Sequence, residues 1–148
     1  MAALYTIATS VASAATPPAS IATDTTVGAF YSLAPAQQYN PQFFIAITSV
    51  EGAKQTPRYI GGGRVEEFEV AGVAWGALTD ASTANIETLV SFLFSLVDSI
   101  GAQIDADPSL GGVAYQSWLA GYELTFDVET NGRAAQIDFT VHVDTQVS

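Results

Sequence analysis

The sequence predicts an α+β fold, and three stretches carry that prediction. A helical apolar stripe occupies residues 80–104, two alternating runs flank an Asn-Gly pair near the C-terminus, and a short aromatic and β-branched run follows Pro41. With 148 residues, 49% of them apolar, the chain is long enough for one domain, residues 1–148, with a core of its own.

Taken in order, Leu4, Ile7, Val11 and Ala14 or Ala15 recur at helical spacing, and Pro17-Pro18 ends such a helix. Its β-branched residues and lack of ion pairs make it weak. Residues 18–40 show no sustained period, only Gly28, Pro35 and polar punctuation, so the charge-poor segment 1–40 is expected to be irregular or to form an interface. Pro41 opens Q-F-F-I-A-I-T-S-V, which suits a strand buried on both faces or central in a sheet. A turn is expected over 51–57, then a flexible hairpin tip at Gly61-Gly62-Gly63. The following R-V-E-E-F-E-V-A-G-V-A-W-G alternates as a strand, with Phe68 and Val70 on one face and Glu67 and Glu69 on the other. Val73 and Trp75 fall on the parity opposite to Phe68 and Val70, and Gly72 is expected to be a bulge that resets the register.

Within 80–104, Ile86, Leu89, Val90, Leu93, Leu96, Val97 and Ile100 form the stripe, opposite Glu87, Ser91, Ser95 and Asp98. Phe92 and Phe94 widen the buried face, Asp80, Ser82 or Thr83 can cap the helix, and Gly101 either ends it or weakens its last turn. In the last third, Asn131-Gly132 favours the turn of a two-residue hairpin. Pairing about it sets Val128 against Ala135, Phe126 against Ile137, Leu124 against Phe139 and Tyr122 against Val141 on a core face. Glu123, Asp127, Glu129, Asp138 and Asp144 then line an acidic outer face.

Fifteen acids against 4 bases give a formal charge of −11, which disfavours direct DNA binding, since that affinity comes from Lys and Arg releasing counterions. The absence of cysteine removes disulfides, thiolate ligands and a cysteine nucleophile. The N-terminal MAALYTIATSVASAATPP lacks Lys and Arg, so no signal peptide is expected, and no run of about 18 apolar residues supports a membrane span. A soluble chain is expected. Asp24 is the only ionisable acid or base in the first 50 residues. That stretch is either core and neutral loop or is covered by neighbouring subunits, because interface centres are depleted of charge.

The stretch D-A-D-P-S-L-G-G (105–112) fails as a calcium loop, with Leu110 where the EF-hand requires glycine and Gln116 where it requires glutamate. No His, Lys or Arg lies within twenty residues to complete an acid–base site. It is expected to be a corner: Pro108 stops the helix, Gly111-Gly112 turn the chain, and both aspartates lie beyond the helix end. His142, the only histidine, falls on the acidic outer face as a solvated side chain. No G-x-S-x-G is present, and G-G-G-R matches neither a phosphate loop nor a dinucleotide fingerprint. No enzyme, catalytic residue, cofactor or metal ligand is expected.

The order of these elements resembles the tail terminator proteins of long-tailed bacteriophages, the ring that closes the tail tube and joins it to the head. The matching parts are P-Q-F-F-I-A-I-T-S-V, V-E-E-F-E-V-A-G-V-A-W-G, the helix N-I-E-T-L-V-S-F-L-F-S-L-V, D-P-S-L-G-G, W-L-A-G-Y-E-L-T-F-D and A-Q-I-D-F-T-V-H-V, covering 41–143. The resemblance implies a mostly antiparallel sheet with α-helices packed on one face and a C-terminal β-hairpin. It further implies a homohexameric ring in the virion, assembled in the host cytoplasm, with the tail tube protein and a neck or head-completion protein as partners, no enzyme activity and DNA passing through the lumen. The first 40 residues depart from the family, which usually has a charged amphipathic helix there. The candidate interface or lumen residues are Tyr59, Arg64, Glu67, Glu69, Asp127 and Glu129. Another head–tail connector or tail-completion component, and more remotely a small apolar-ligand-binding domain, are the alternatives.

Overall fold

The computed structural model describes residues 2–23, 26–30, 42–57, 64–78, 82–112, 114, 116–129 and 132–147; at 2, 51–57, 64–66, 127–129, 132–133 and 146–147 it describes the backbone alone. Apolar residues at steps of three and four build α2 (Thr83–Ala106), which buries Leu89, Phe92, Leu93, Leu96, Val97, Ile100 and Ile104. Ser82 caps it, its hydroxyl accepting from the Asn85 N–H at 3.3 Å. The helix runs through Gly101, where the missing Cβ admits Leu119. Asp105 therefore sits in the last turn rather than beyond it; its exposure lets water screen the unfavourable helix dipole. By length and composition α2 could cross a membrane, which the search for an unbroken apolar run did not register, but its stripe lies against the sheet.

That sheet has the order β1-β2-β3-β5-β4, formed by β1 (Val27–Phe30), β2 (Phe43–Pro57), β3 (Arg64–Leu78), β4 (Gln116–Glu129) and β5 (Gly132–Val147). All neighbours are antiparallel except β1 and β2. Both helices cover one face, α1 (Ala2–Ala14) over β1 and β2 and α2 over β3, β4 and β5. The fold is thus α+β, with the expected C-terminal hairpin.

The N-terminal expectation needs correction. Leu4, Ala8, Val11 and Ala12 of α1 are buried, small residues letting the weak helix sit close to the sheet, and Ile21 and Val27 join the same core. Residues 18–22 form a turn in which the Ile21 and Ala22 N–H groups donate to the Pro18 carbonyl, and β1 follows. A four-residue parallel strand containing glycine has too little alternation to register in sequence. For the described part of the charge-poor stretch, core burial is the explanation.

Phe43, Phe44, Ile45, Ala46 and Ile47 of β2 are all buried, as a strand covered on both faces should be. Phe43, Ile45 and Ile47 lie under the helices, whereas Phe44 stacks on Trp75 on the opposite face at 5.1 Å. The expected turn over 51–57 is instead the continuation of β2, paired with β3. The irregularity expected at Gly72 lies across from it, in β2, between Ile47 and Ser49. Strand β3 keeps one parity throughout: Phe68, Val70, Ala74 and Leu78 face the helices, and Val73 and Trp75 share the outer face with Glu67 and Glu69. Gly72 is required for space. An added Cβ would stand 2.9 Å from the Ala46 carbonyl oxygen and closer still to the Phe139 ring.

The hairpin register differs from expectation by two residues. Glu129 pairs with Gly132, which sets Phe126 against Ala135, Leu124 against Ile137 and Tyr122 against Phe139. A slip of two keeps every side chain on its face, so alternation cannot detect it. Residues 130 and 131, between the paired ends, lie outside the described ones, as do Gly61-Gly62-Gly63. A second irregularity, between Leu119 and Gly121, inverts the parity of β4: Ser117 and Leu119 face inward before it, Leu124 after it.

Gln42 ties the N-terminal turn to the sheet. Its amide nitrogen donates to the Ile21 carbonyl at 2.7 Å and to the Ala77 carbonyl at 2.8 Å, and its amide oxygen accepts from the Thr23 N–H and hydroxyl at 2.6 and 3.0 Å. Gln42→Ala is expected to destabilise the chain by about 2 kcal/mol, the combined net loss of partly exposed hydrogen bonds. Urea denaturation at constant slope measures it.

Candidate functional site

Two features of the surface are unlike the rest: the outer edge of β4, and an acid-rich, helix-free face that holds the only histidine. Among the described residues β4 is bonded to β5 alone, so its other side is an open edge of 14 residues. Open edges of that length normally carry charge or are covered. This one carries Trp118, Tyr122 and Phe126, which are 41%, 56% and 53% exposed. Tyr122 and Phe126 were expected in the core because alternation assigns them to the helix side, and there they lie. Helix α2 does not reach over them; Phe94 meets Tyr122 edge to face at 5.5 Å, and Leu124 between them is only half-buried.

On the helix-free face, antiparallel pairing aligns residues into rows across β3, β5 and β4. One row is Glu67, Asp144 and Gln116; the next is Glu69, His142 and Trp118. Asp144 is only 5% exposed and is held from two sides. The Gln116 amide donates to Oδ2 at 2.6 Å, and His142 Nε2 lies 2.7 Å from Oδ1. Trp118 stacks on the imidazole at 4.4 Å with the planes 24° apart. His142 is therefore a packed, partnered side chain rather than the solvated one expected. The potential ligand atoms of Glu67, His142 and Asp144 all lie within 4.8 Å of one another. Further along the same face Glu123 is paired directly with Asp138, whose carboxylate accepts from the Gln136 amide. The alternation V-H-V-D beside E-E-F-E is the signal that places these groups on one face; the stacking and the two hydrogen bonds are tertiary and have no signature in sequence.

The six sequence candidates do not converge. Glu67 is half-buried and Glu69 exposed, side by side on the outer face of β3. Asp127 is paired with Ala134 and Glu129 with Gly132, at the opposite end of β5 from Asp144. Ten residues of strand separate the two ends, roughly 33 Å at the usual rise. Arg64 pairs with Val147 and Pro57, near the Glu67 end, and Tyr59 lies outside the described residues. Lys54 is the register partner of Glu67 on β2.

The D-A-D-P-S-L-G-G stretch is a corner, and Asp107 organises it. Its backbone N–H closes the helix onto the Gln103 and Ile104 carbonyls, while its carboxylate accepts from the Ser109 hydroxyl at 2.6 Å and the Gly111 N–H at 2.8 Å. Leu110, Gly111 and Gly112 all take positive φ, at 52°, 75° and 89°, with buried Leu110 anchoring the turn to the core. The Ser109 hydroxyl first and the Gly111 N–H second hold the Asp107 carboxyl below its ordinary range. Because the folded value is depressed, the corner's contribution is present above the ordinary carboxylate range and is lost as pH falls through the lowered value. Asp107→Asn should therefore be less stable than the parent at pH 7, with the difference closing in acid, as denaturation at several pH values would show.

No family model matches the chain, and no curated protein matches it. Among solved structures, one chain of a structure titled "Virion of native gene transfer agent (GTA) particle" is similar, with a TM-score of 0.39 and 12% identity, over 79% of this chain and 78% of that one.

Proposed function

We propose that this chain is a structural virion protein of the tail-terminator kind, forming a ring of six that caps the tail tube and joins it to the head or neck. The observation that carries this reading is the β4 edge. An unpaired strand with two half-exposed aromatic rings on one face and a tryptophan on the other is a surface for another polypeptide, and a copy of this chain is the partner always at hand. The resemblance of 41–143 to tail terminators supplies the kind of assembly. The tail tube protein and a neck or head-completion protein are its neighbours, and the chain works without catalysis.

In such a ring the acid-rich sheet face is the surface suited to the lumen. Six copies carry a formal charge of about −66, and a lumen lined by Glu67, Glu69, Glu123 and Asp138 would repel passing DNA rather than hold it. Electron microscopy of the purified chain tests the reading. A closed ring of about six subunits around an open channel is expected, and a strictly monomeric chain at high concentration contradicts it.

A further inference from the structure

We propose that Glu67, His142 and Asp144 bind one divalent transition-metal cation of the Zn²⁺ class on the helix-free face of the sheet. This inference does not depend on the ring. The three residues come from two hydrogen-bonded strands: Glu67 of β3 is paired directly with Asp144 of β5, and His142 lies two positions back on β5, pointing to the same face. A site built on paired strands has its ligand positions fixed by backbone register rather than by loop conformation.

The geometry is close to that of a first shell. All three ligand atoms lie within 4.8 Å of one another. Ligands at about 2.0–2.2 Å around a tetrahedral cation stand roughly 3.3–3.5 Å apart. Separating His142 Nε2 from Asp144 Oδ1 to that spacing, from their present 2.7 Å, is a small adjustment in which a cation takes the place of the shared proton. The surroundings also behave as an outer shell. The Gln116 amide occupies Oδ2 of Asp144 at 2.6 Å and turns Oδ1 toward the imidazole, and the stacked Trp118 fixes the plane of the ring.

Charge gives the reason for a cation. Asp144 is nearly fully buried, and its direct cross-strand partner is a second carboxylate; like charges placed opposite each other destabilise a sheet. Glu69, the cross-strand partner of His142, adds a third acid to the same neighbourhood. One imidazole with two carboxylates favours Zn²⁺ and its neighbours over Mg²⁺ or Ca²⁺, which prefer oxygen alone. Water would complete the coordination on the open side.

Titrating the chelator-treated 148-residue chain with ZnCl₂ in a calorimeter should give one ion per chain. Glu67→Gln and His142→Ala should each weaken binding at least tenfold, and Glu123→Gln, an exposed acid elsewhere on the face, should leave it unchanged. With Co²⁺ in place of Zn²⁺, visible absorption bands should appear for the parent and vanish in His142→Ala. If His142→Ala fails to fold, Glu67→Gln at its half-exposed position decides. Absence of saturable Zn²⁺ binding, or a loss of less than tenfold in Glu67→Gln, overturns the proposal.

Discussion

Replacing Tyr122 and Phe126 together with glutamate is expected to abolish assembly while leaving a folded monomer. Both rings project from the edge strand and are more than half exposed, so the isolated fold gives up little when they go. The main internal loss is the edge-to-face contact of Tyr122 with Phe94, about 1 kcal/mol. Buried aromatic anchors at an interface are worth about 2 kcal/mol or more each, and the new carboxylates would have to be desolvated against a neighbour. Two lost anchors correspond to roughly a thousandfold weaker contact. Sedimentation velocity should show the substituted chain as a monomer at concentrations where the parent assembles, and thermal melting should show the fold nearly intact. Assembly that survives the pair of changes would move the interface elsewhere.

The second large effect is on the fold itself. Phe139→Ala should cost about 3–5 kcal/mol, because the ring is buried at the centre of β5 and the backbone cannot collapse into the space it leaves. The reason lies across the strand pair: Gly72 has no side chain with which to fill the hollow, and its missing Cβ is the room the ring uses. Gly72→Ala should cost about 1–3 kcal/mol by overpacking. In Phe139→Ala the same alanine should be less harmful, since the ring is gone and only the crowding of the Ala46 carbonyl remains. A double-mutant cycle by urea denaturation should therefore give a combined loss smaller than the sum.

What was legible in the sequence follows from how local each signal is. The α2 stripe, the both-face burial of Phe43–Ile47 and the two alternating runs of the hairpin each declare themselves within a dozen or so residues, and each has its expected structure. The errors come from choices that only long-range pairing makes. Whether Gly72 is a bulge or a hollow depends on Phe139, 67 positions later in the chain. The two-residue hairpin slip is invisible to alternation because it preserves every face. Tyr122 and Phe126 were assigned the correct face but the wrong burial, because burial depends on how far α2 reaches across the sheet and periodicity carries no information about that. The cluster around Asp144 was legible only as a shared face. Its packing by Trp118 and Gln116 depends on the irregularity at Ala120, which turns those two outward before Tyr122 and Leu124 turn inward.

The polar–apolar division of the sheet explains why these details matter for function. The helix side buries an aliphatic and aromatic core, the other side bears acids in direct cross-strand opposition, and the β4 edge between them bears unpaired aromatic rings. Covering that edge with a neighbour would satisfy the alternate N–H and C=O groups of β4 that do not face β5, and would place the acidic faces of successive copies side by side around a common axis.

Amide hydrogen exchange across residues 116–129, compared between dilute monomer and concentrated chain, tests that edge most directly. The account predicts that amides of β4 exchange rapidly when dilute and become protected as a closed oligomer forms. Exchange that stays equally fast in an assembled sample, or a chain that never associates, would contradict it.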